Sequence, residues 1–206
     1  MNIPNQHIDL PLLQEKGVTL HIKREDTIHP LISGNKYRKL KYNLEEAQKQ
    51  GHSTLLTFGG AFSNHIAAVA CAGKEQGFET IGVIRGEELA HSWQDNPTLA
   101  LAHQQGMRLH FVSRGDYRNK NEAPFRHNLK ERFGEFYLLP EGGKNELAVR
   151  GCEEILTETD AGFDHICCAV GTGGTLAGLI NSVKEGQSVL GFPALKGDFL
   201  NDDIRT

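Results

Sequence analysis

The segment SGNKYRKLKYN at residues 33–43 places a lysine where a helix is expected to begin. Ser33 is a candidate helix cap, Gly34 suits a tight entry, and apolar residues follow at helical spacing. Lys36 is then predicted in the first turn, where the positive end of the helix dipole disfavours an ammonium group. Two interpretations stay open. The segment alone favours a solvated basic face that includes Lys36; the other is an amine of lowered pKa that forms a Schiff base.

A second candidate lies in TFGGAFSNHIAA at residues 57–68, where a predicted strand runs through two glycines into a helix. Ser63, Asn64 and His65 open that helix. Free backbone N–H groups and short polar side chains at a helix start suit a carboxylate or a phosphate. The alternative is that Ser63 or Asn64 only caps the helix.

A third candidate is HICCAVGTGGTLAG at residues 165–178, again a strand followed by a helix. Its glycines allow backbone N–H groups to approach an anion, and its threonines add hydroxyl donors. The anion-binding residues predicted here are Gly171, Thr172, Gly173, Gly174 and Thr175. The loop is neither a dinucleotide fingerprint, since Leu176 replaces the third glycine, nor a P-loop. It therefore favours a single phosphate group, with a simple glycine-rich turn as the alternative.

Short apolar segments alternate with helical patterns around these loops. The predicted strands cover 18–26, 53–60, 79–86, 108–114, 135–143, 165–171 and 188–195, and the predicted helices cover 65–77, 96–106, 122–134, 145–159 and 175–186. This alternation predicts an α/β fold with a parallel sheet between helices. Ligands in such sheets bind at the carboxyl ends of strands, where the second and third candidates lie.

Composition limits the classes of function. The chain has 206 residues, 38% of them hydrophobic, and a net charge of −4, which gives no electrostatic case for nucleic acid. No apolar run is long enough to span a bilayer, and the N-terminus lacks the pattern of a secretory signal. Four cysteines without metal-ligand spacing predict buried reduced thiols and a cytoplasmic protein. The ten histidines form no HExxH motif, so no metal site is expected.

Taken together, the three candidates favour one cofactor. One loop suits a phosphate, another suits a carboxylate, and a lysine lies in a first helical turn. Pyridoxal phosphate supplies an aldehyde and a phosphate, and an amino acid supplies a carboxylate. The sequence thus predicts a pyridoxal-phosphate site with Lys36 as the Schiff-base lysine and a small amino acid as substrate.

Four ordered motifs resemble those of a known family: KREDTIHPLISGNKYRKLKYN, GGAFSNH, EGGKNELAVRGCEEI and GTGGTLAG. Together they are similar to the 1-aminocyclopropane-1-carboxylate deaminase/D-cysteine desulfhydrase family of fold-type II, tryptophan-synthase-β-like pyridoxal-phosphate enzymes. The resemblance implies two three-layer αβα domains with the cofactor in the cleft between them. We expect residues 1–42 and 160–206 in the large cofactor domain and 43–159 in the small domain.

The resemblance also implies roles for individual residues. Lys36 would carry the cofactor, and residues 171–175 would hold its phosphate. Asn64 would lie beside the cofactor ring, and Ser63, Asn64 and His65 would line the pocket for the substrate carboxylate. Ser63 is in addition a candidate catalytic hydroxyl.

The implied activity is deamination or elimination from a small amino acid. D-cysteine would give pyruvate, sulfide and ammonia, and the cyclopropane substrate would give 2-oxobutanoate and ammonia. The family implies a homodimer. It also implies that relatives continue beyond Thr206, with residues that complete the large domain, face the pyridine nitrogen and contact substrate. The alternative for this chain is therefore a catalytically incompetent, cofactor-binding fragment.

Overall fold

The computed structural model describes residues 3–194. The strands are β1 (Asn5–Ile8), β2 (Leu20–Lys23), β3 (Thr54–Gly59), β4 (Glu79–Arg85), β5 (Arg108–Val112), β6 (Tyr137–Leu139), β7 (His165–Val170) and β8 (Ser188–Pro193). The α-helices are α1 (Pro11–Lys16), α2 (Asn35–Lys49), α3 (Asn64–Gln76), α4 (Pro97–Gln104), α5 (Arg114–Arg118), α6 (Ala123–Phe133), α7 (Glu146–Glu153) and α8 (Gly174–Ser182).

A four-stranded parallel sheet with the order β5-β4-β3-β6 forms the centre of the fold. Every residue of β3 is buried, because β3 has a strand on each side and helices on both faces. Successive side chains alternate between the faces: Leu55 packs with α2, α3 and α4, whereas Leu56 packs with α5 and α6. The three-layer αβα arrangement expected from the sequence is confirmed here.

A second parallel pair, β7 and β8, lies beside α7 and α8. Helix α7 also packs closely on α2: a Cβ atom added at Gly151 would lie 1.9 Å from the carbonyl oxygen of Arg38. Only glycine permits this approach, which fixes α2 against the β7–β8 unit. The start of α2 is thereby held near the end of β7.

Strands β1 and β2 form an antiparallel ribbon that the sequence analysis predicted only in part. The ribbon is tied to the 3-10 turn Glu158–Asp160 by a buried carboxylate. Asp160 is 3% exposed, and it accepts hydrogen bonds from Lys23 Nζ at 2.8 Å and Asn5 Nδ2 at 2.8 Å. The pKa of Asp160 is lowered because these donors, with the backbone N–H of Thr157, outweigh the cost of its burial.

Several expectations about the elements need correction. Residues 18–26 form a four-residue strand in the antiparallel ribbon, outside the parallel sheet, and β1, α1 and α5 were missed. The helix expected at 145–159 ends at Glu153, and the helix expected at 175–186 ends at Ser182. Residue 195 of the last predicted strand, and the expected domain segment 195–206, lie outside the described residues.

The expectation that all four thiols are buried is wrong for two of them. Cys71 and Cys152 are buried, but Cys167 is exposed and Cys168 is partly exposed; all four are free. Cys167 and Cys168 lie on β7, whose residues alternate between exposed and partly buried. The reason is that α8 covers one face of the β7–β8 pair, while the other face is open among the described residues.

Candidate functional site

All the predicted site residues except Gly174 line one cavity of about 360 Å³. Its lining comes from the start of α2, the loop after β3, the loop after β6 and the loop after β7. These are the carboxyl ends of three parallel strands facing a helix N-terminus, which is where α/β folds bind ligands. Residues separated by more than 130 positions in the chain thus share one pocket.

Two lysines dominate the electrostatics of this cavity. Lys36 is 7% exposed and Lys39 is 1% exposed, one helical turn apart on α2. Lys36 Nζ donates to the carbonyl oxygen of Gly142 at 3.3 Å, and Lys39 Nζ donates to the same oxygen at 3.2 Å. Lys39 also donates to Thr172 Oγ1 at 3.4 Å. Neither ammonium forms an ion pair with a carboxylate of residues 3–194.

The solvated basic face favoured by the local sequence is therefore wrong for Lys36, Arg38 and Lys39, all of which are buried. The reason is tertiary: α7 and the 141–143 loop pack on this side of α2. The predicted cap is also wrong. Gly34, not Ser33, is the N-cap of α2, and it has a φ of 62° and no side-chain hydrogen bond. Glycine turns the chain sharply here because it tolerates positive φ.

Burial, and next the positive charge of Lys39, lowers the pKa of Lys36 to about 8. Burial also lowers the pKa of Lys39. The lowered pKa expected for Lys36 thus has a different main cause from the helix dipole: the amine is removed from water beside a second cation. A substantial neutral fraction of Lys36 near pH 8 makes it a nucleophile.

The glycine-rich loop between β7 and α8 has the form of an anion cradle. Gly173 is the N-cap of α8 with a φ of 80°, and no side chain caps the helix. The first N–H groups of α8 therefore lack a side-chain acceptor, at the positive end of the helix dipole. A Cβ atom at Gly174 would lie 3.2 Å from Lys39 Nζ, so glycine permits the lysine to approach the loop. Asn35 Nδ2 donates to Thr175 Oγ1 at 2.8 Å and orients that hydroxyl.

The loop after β3 contributes the other three predicted residues. Ser63 caps α3 by accepting a hydrogen bond from the backbone N–H of Ile66 at 3.3 Å; because its side chain also lines the cavity, the cap does not exclude contact with a ligand. Asn64 is exposed and lines the cavity, which leaves its amide free to reach a ligand. Ser63 lines the same cavity and lies between it and a larger neighbouring one.

His65 is buried to 1% exposure and has a defined hydrogen-bond pattern. Thr57 donates its hydroxyl proton to the carbonyl oxygen of Leu139 at 2.9 Å, so it must accept from His65 Nε2 at 3.0 Å. His65 Nδ1 then carries a lone pair with no partner among the described side chains and backbone groups. Burial, followed by the charges of Lys36 and Lys39, lowers the pKa of His65 to about 3. The ring is thus neutral and offers no positive charge to a carboxylate.

This geometry fits pyridoxal phosphate. Two buried ammonium groups without a carboxylate partner require an anion, since buried charges in proteins are normally paired. The glycine-rich helix start offers a phosphate site beside Lys39, and Lys36 offers an amine of lowered pKa in the same cavity. Within residues 3–194, no group of three or more His, Cys, Asp or Glu side chains is placed to hold a metal ion.

Three groups of the cavity were not predicted from the sequence: Lys39, Asn35 and the carbonyl oxygen of Gly142. A sequence signal existed for Lys39, because residues three apart lie on one face of a helix. No sequence pattern identified the Gly142 carbonyl as part of the cavity. This carbonyl is aimed at the lysines by two consecutive left-handed residues, Gly142 and Gly143, with φ of 68° and 69°. Asn145 is not part of the cavity lining: it caps α7 and donates a hydrogen bond to Asn43 Oδ1.

Fold and site together define an α/β protein with a lysine-bearing anion pocket of the pyridoxal-phosphate type. A family model described as pyridoxal-phosphate dependent enzyme matches residues 3–196, and the chain belongs to this family. The chain is 38% identical over 179 residues to a putative 1-aminocyclopropane-1-carboxylate deaminase of Thermotoga maritima, covering 82% of this chain and 56% of the relative. The resemblance carried by the four motifs is thereby confirmed.

Two further comparisons agree. A bifunctional D-cysteine desulfhydrase/1-aminocyclopropane-1-carboxylate deaminase of Arabidopsis thaliana is 32% identical over 180 residues, covering 79% of this chain and 44% of the relative. A crystal structure of an ACC deaminase homologue superposes with a TM-score of 0.76 at 28% identity, covering 100% of this chain and 64% of the other. The chain thus spans about half the length of the curated relatives it matches. No helix between residues 3 and 194 is both long and apolar enough to cross a membrane.

Proposed function

We propose that this chain binds pyridoxal phosphate through Lys36 and takes part in the deamination of a small amino acid. The observation that carries the proposal is the pair of buried lysines that face the glycine-rich start of α8 without a carboxylate partner. A phosphate at that helix start would neutralise Lys39, and the lowered pKa of Lys36 suits covalent attachment.

The phosphate group would be held by the N–H groups of residues 174–176, the hydroxyls of Thr172 and Thr175, and the ammonium of Lys39. Asn35 keeps Thr175 oriented through its 2.8 Å hydrogen bond. When bound, pyridoxal phosphate supplies an aldehyde that attaches amines and a ring that withdraws electrons from the attached substrate.

Side chains of this chain would transfer the proton, bind the α-carboxylate and position the substrate. With D-cysteine, the freed Lys36 amine would move a proton at the substrate's α-carbon, since its pKa of about 8 is close to neutral pH. The cyclopropane substrate has no hydrogen on that carbon, so this step applies to D-cysteine alone. Ser63 and Asn64 would hold the α-carboxylate at the start of α3. His65 would act as a positioning residue, because it is neutral and its Nε2–H is fixed on Thr57.

The substrate proposed first is D-cysteine, which with one water yields pyruvate, sulfide and ammonia. The second is 1-aminocyclopropane-1-carboxylate, which with one water yields 2-oxobutanoate and ammonia. The names of the relatives support both and do not separate them. A homodimer and a cytoplasmic location remain predictions from the resemblance and the free thiols; analytical ultracentrifugation of the purified chain tests the first.

The experiment is cofactor attachment to the 206-residue chain. Purified protein is mixed with pyridoxal phosphate, and the visible absorbance band of a lysine–cofactor adduct is recorded. Borohydride reduction followed by peptide mapping is expected to place the label on Lys36, and Lys36→Ala is expected to lose the band. D-cysteine is then added and pyruvate is measured.

A folded chain that gives no band, or a label that maps to another lysine, contradicts the proposal. A band on Lys36 without turnover of either substrate contradicts the catalytic half and supports the alternative, a cofactor-binding chain that does not catalyse the reaction.

A further inference from the structure

A second cavity of about 840 Å³ adjoins the lysine pocket. The two cavities share Ser63 and Glu141 in their linings. The second cavity lies over the end of β4 and one side of α5, so it opens at the side of the loop proposed to hold the substrate carboxylate. A substrate bound at residues 63–65 therefore has room to extend into it.

The lining of this cavity is positively charged, with four arginine or lysine side chains against two glutamates. Two of the cations are paired: Arg114 with Glu88 at 2.9 Å and Lys120 with Glu141 at 3.4 Å. Arg85 and Arg118 are both exposed and form no ion pair with any described carboxylate; Arg85 differs from Arg118 in that its guanidinium contacts an aromatic ring.

Arg85 is placed by the glycine loop itself. A Cβ atom at Gly60 would lie 3.4 Å from its Nη2 atom, so the guanidinium rests against the backbone that leads to Ser63. Its charge also lies 5.7 Å from the centre of the Tyr117 ring, and Lys120 Nζ lies 4.9 Å from the same ring. The aromatic ring thus contacts two of the cations that line the cavity.

Tyr117 also lines this cavity. The residue is 3% exposed, and its hydroxyl completes no hydrogen bond with a described group, although the Glu141 carboxylate lies close to it. Burial, and next the Glu141 carboxylate, raises the pKa of Tyr117, so the phenol remains protonated and is a donor. An arginine without an ion pair beside this donor, in a cavity that adjoins the proposed substrate pocket, indicates an acceptor with negative charge.

We infer that this second cavity receives the distal carboxylate of a further substrate class, dicarboxylic amino acids, in addition to the two monocarboxylic substrates proposed above, with Arg85 as its principal ligand. The inference rests on the proposed function for the position of the α-carboxylate. A planar guanidinium binds a carboxylate through two parallel hydrogen bonds, which a lysine cannot reproduce.

The test is a titration monitored by NMR of the arginine Nε–Hε groups and the backbone of residues 60–63 and 117. Aspartate and alanine, each as both enantiomers, are the probes, with and without added pyridoxal phosphate. We expect one enantiomer of aspartate to shift the Arg85 and Tyr117 signals and to bind at least about tenfold more tightly than the matching alanine. Arg85→Gln should remove this preference and leave the affinity for alanine unchanged, and Arg85→Lys should restore only part of it.

Arg114→Gln is the matched control, since it removes the same charge from a residue that is already paired with Glu88. An equal loss in Arg114→Gln would overturn the inference, because general charge would then explain the effect. Failure of either aspartate to shift Arg85 overturns it directly. The band on Lys36 separates the two proposals: a band without an Arg85 response refutes the dicarboxylate site alone, and an Arg85 response without a band refutes only the proposed function.

Discussion

The ammonium groups of Lys36 and Lys39 share a single acceptor, the carbonyl oxygen of Gly142, at 3.3 and 3.2 Å. Two buried cations on one neutral oxygen are an unfavourable arrangement in the absence of an anion. Burial lowers the pKa of both lysines, and the charge of Lys39 contributes to the lowering at Lys36; the arrangement indicates where an anionic cofactor gains affinity.

Replacement of Lys36 and replacement of Lys39 should have different effects on cofactor binding. Lys36→Ala is expected to abolish the covalent adduct with pyridoxal phosphate. Lys39→Ala is expected to retain the adduct on Lys36 but to weaken cofactor binding by about 10- to 100-fold, because one charge-assisted contact to the phosphate is lost. Borohydride labelling and equilibrium dialysis measure the two effects. A label that remains in Lys36→Ala and disappears in Lys39→Ala would reverse the assignment.

Adduct formation should depend on pH with a midpoint near the pKa of Lys36, about 8. The neutral amine is the nucleophile, so the rate should fall about tenfold per pH unit below the midpoint and level off above it. Stopped-flow absorbance with pyridoxal phosphate between pH 6 and pH 10 measures this profile. In Lys39→Met the midpoint should move to higher pH, because a neighbouring positive charge is removed. A rate that keeps rising through pH 10 would indicate attack by an exposed lysine instead.

The buried charges should destabilise the cofactor-free chain. Lys36→Met is expected to raise the free energy of unfolding at pH 7 by roughly 1 to 3 kcal/mol, since an unpaired buried ammonium is replaced by an apolar side chain of similar length. The pKa of Lys36 is lower in the folded chain than in the unfolded one, so the unfolded state binds more protons between about pH 8 and its ordinary pKa. The fold therefore gains stability as pH rises through that window.

Urea denaturation of wild type and Lys36→Met without cofactor checks both statements. The gain from the substitution should shrink as pH rises above 8, because the wild-type amine then loses its charge in the folded state. A wild type that is more stable than Lys36→Met at pH 7 would contradict the account. With saturating cofactor the order should reverse, because only wild type retains the covalent attachment.

The contact between α2 and α7 should tolerate no side chain at Gly151. Gly151→Ala places a Cβ atom 1.9 Å from the Arg38 carbonyl oxygen, so the helices must separate, and we expect a loss of at least about 3 kcal/mol of stability. Gly162→Ala is the matched control, since nothing lies within 4 Å of its added Cβ atom. Thermal unfolding by circular dichroism compares the two. Equal stability of both variants would show that α2 and α7 can separate at little cost in free energy.

The sequence by itself determined the local elements and the chemistry they present. Alternating apolar strands and helical segments specified β3, β4, β5 and α3 to within a few residues, because periodicity depends on neighbours in the chain. Glycines after buried strands marked both anion loops. Lys36 was recognisable as the Schiff-base lysine only in combination with these loops, because its own segment favoured a solvated basic face.

Only the tertiary structure decided which of the basic residues on α2 leave solvent. Burial of Lys36 and Lys39 depends on α7 and the 141–143 loop, more than 100 residues away in the chain, so no local pattern specifies it. The same holds for the origin of the lowered pKa of Lys36, for the Gly142 carbonyl, and for the cavity beside Arg85. The sequence specifies the charge and spacing of the lysines, but their desolvation arises only when distant segments pack together.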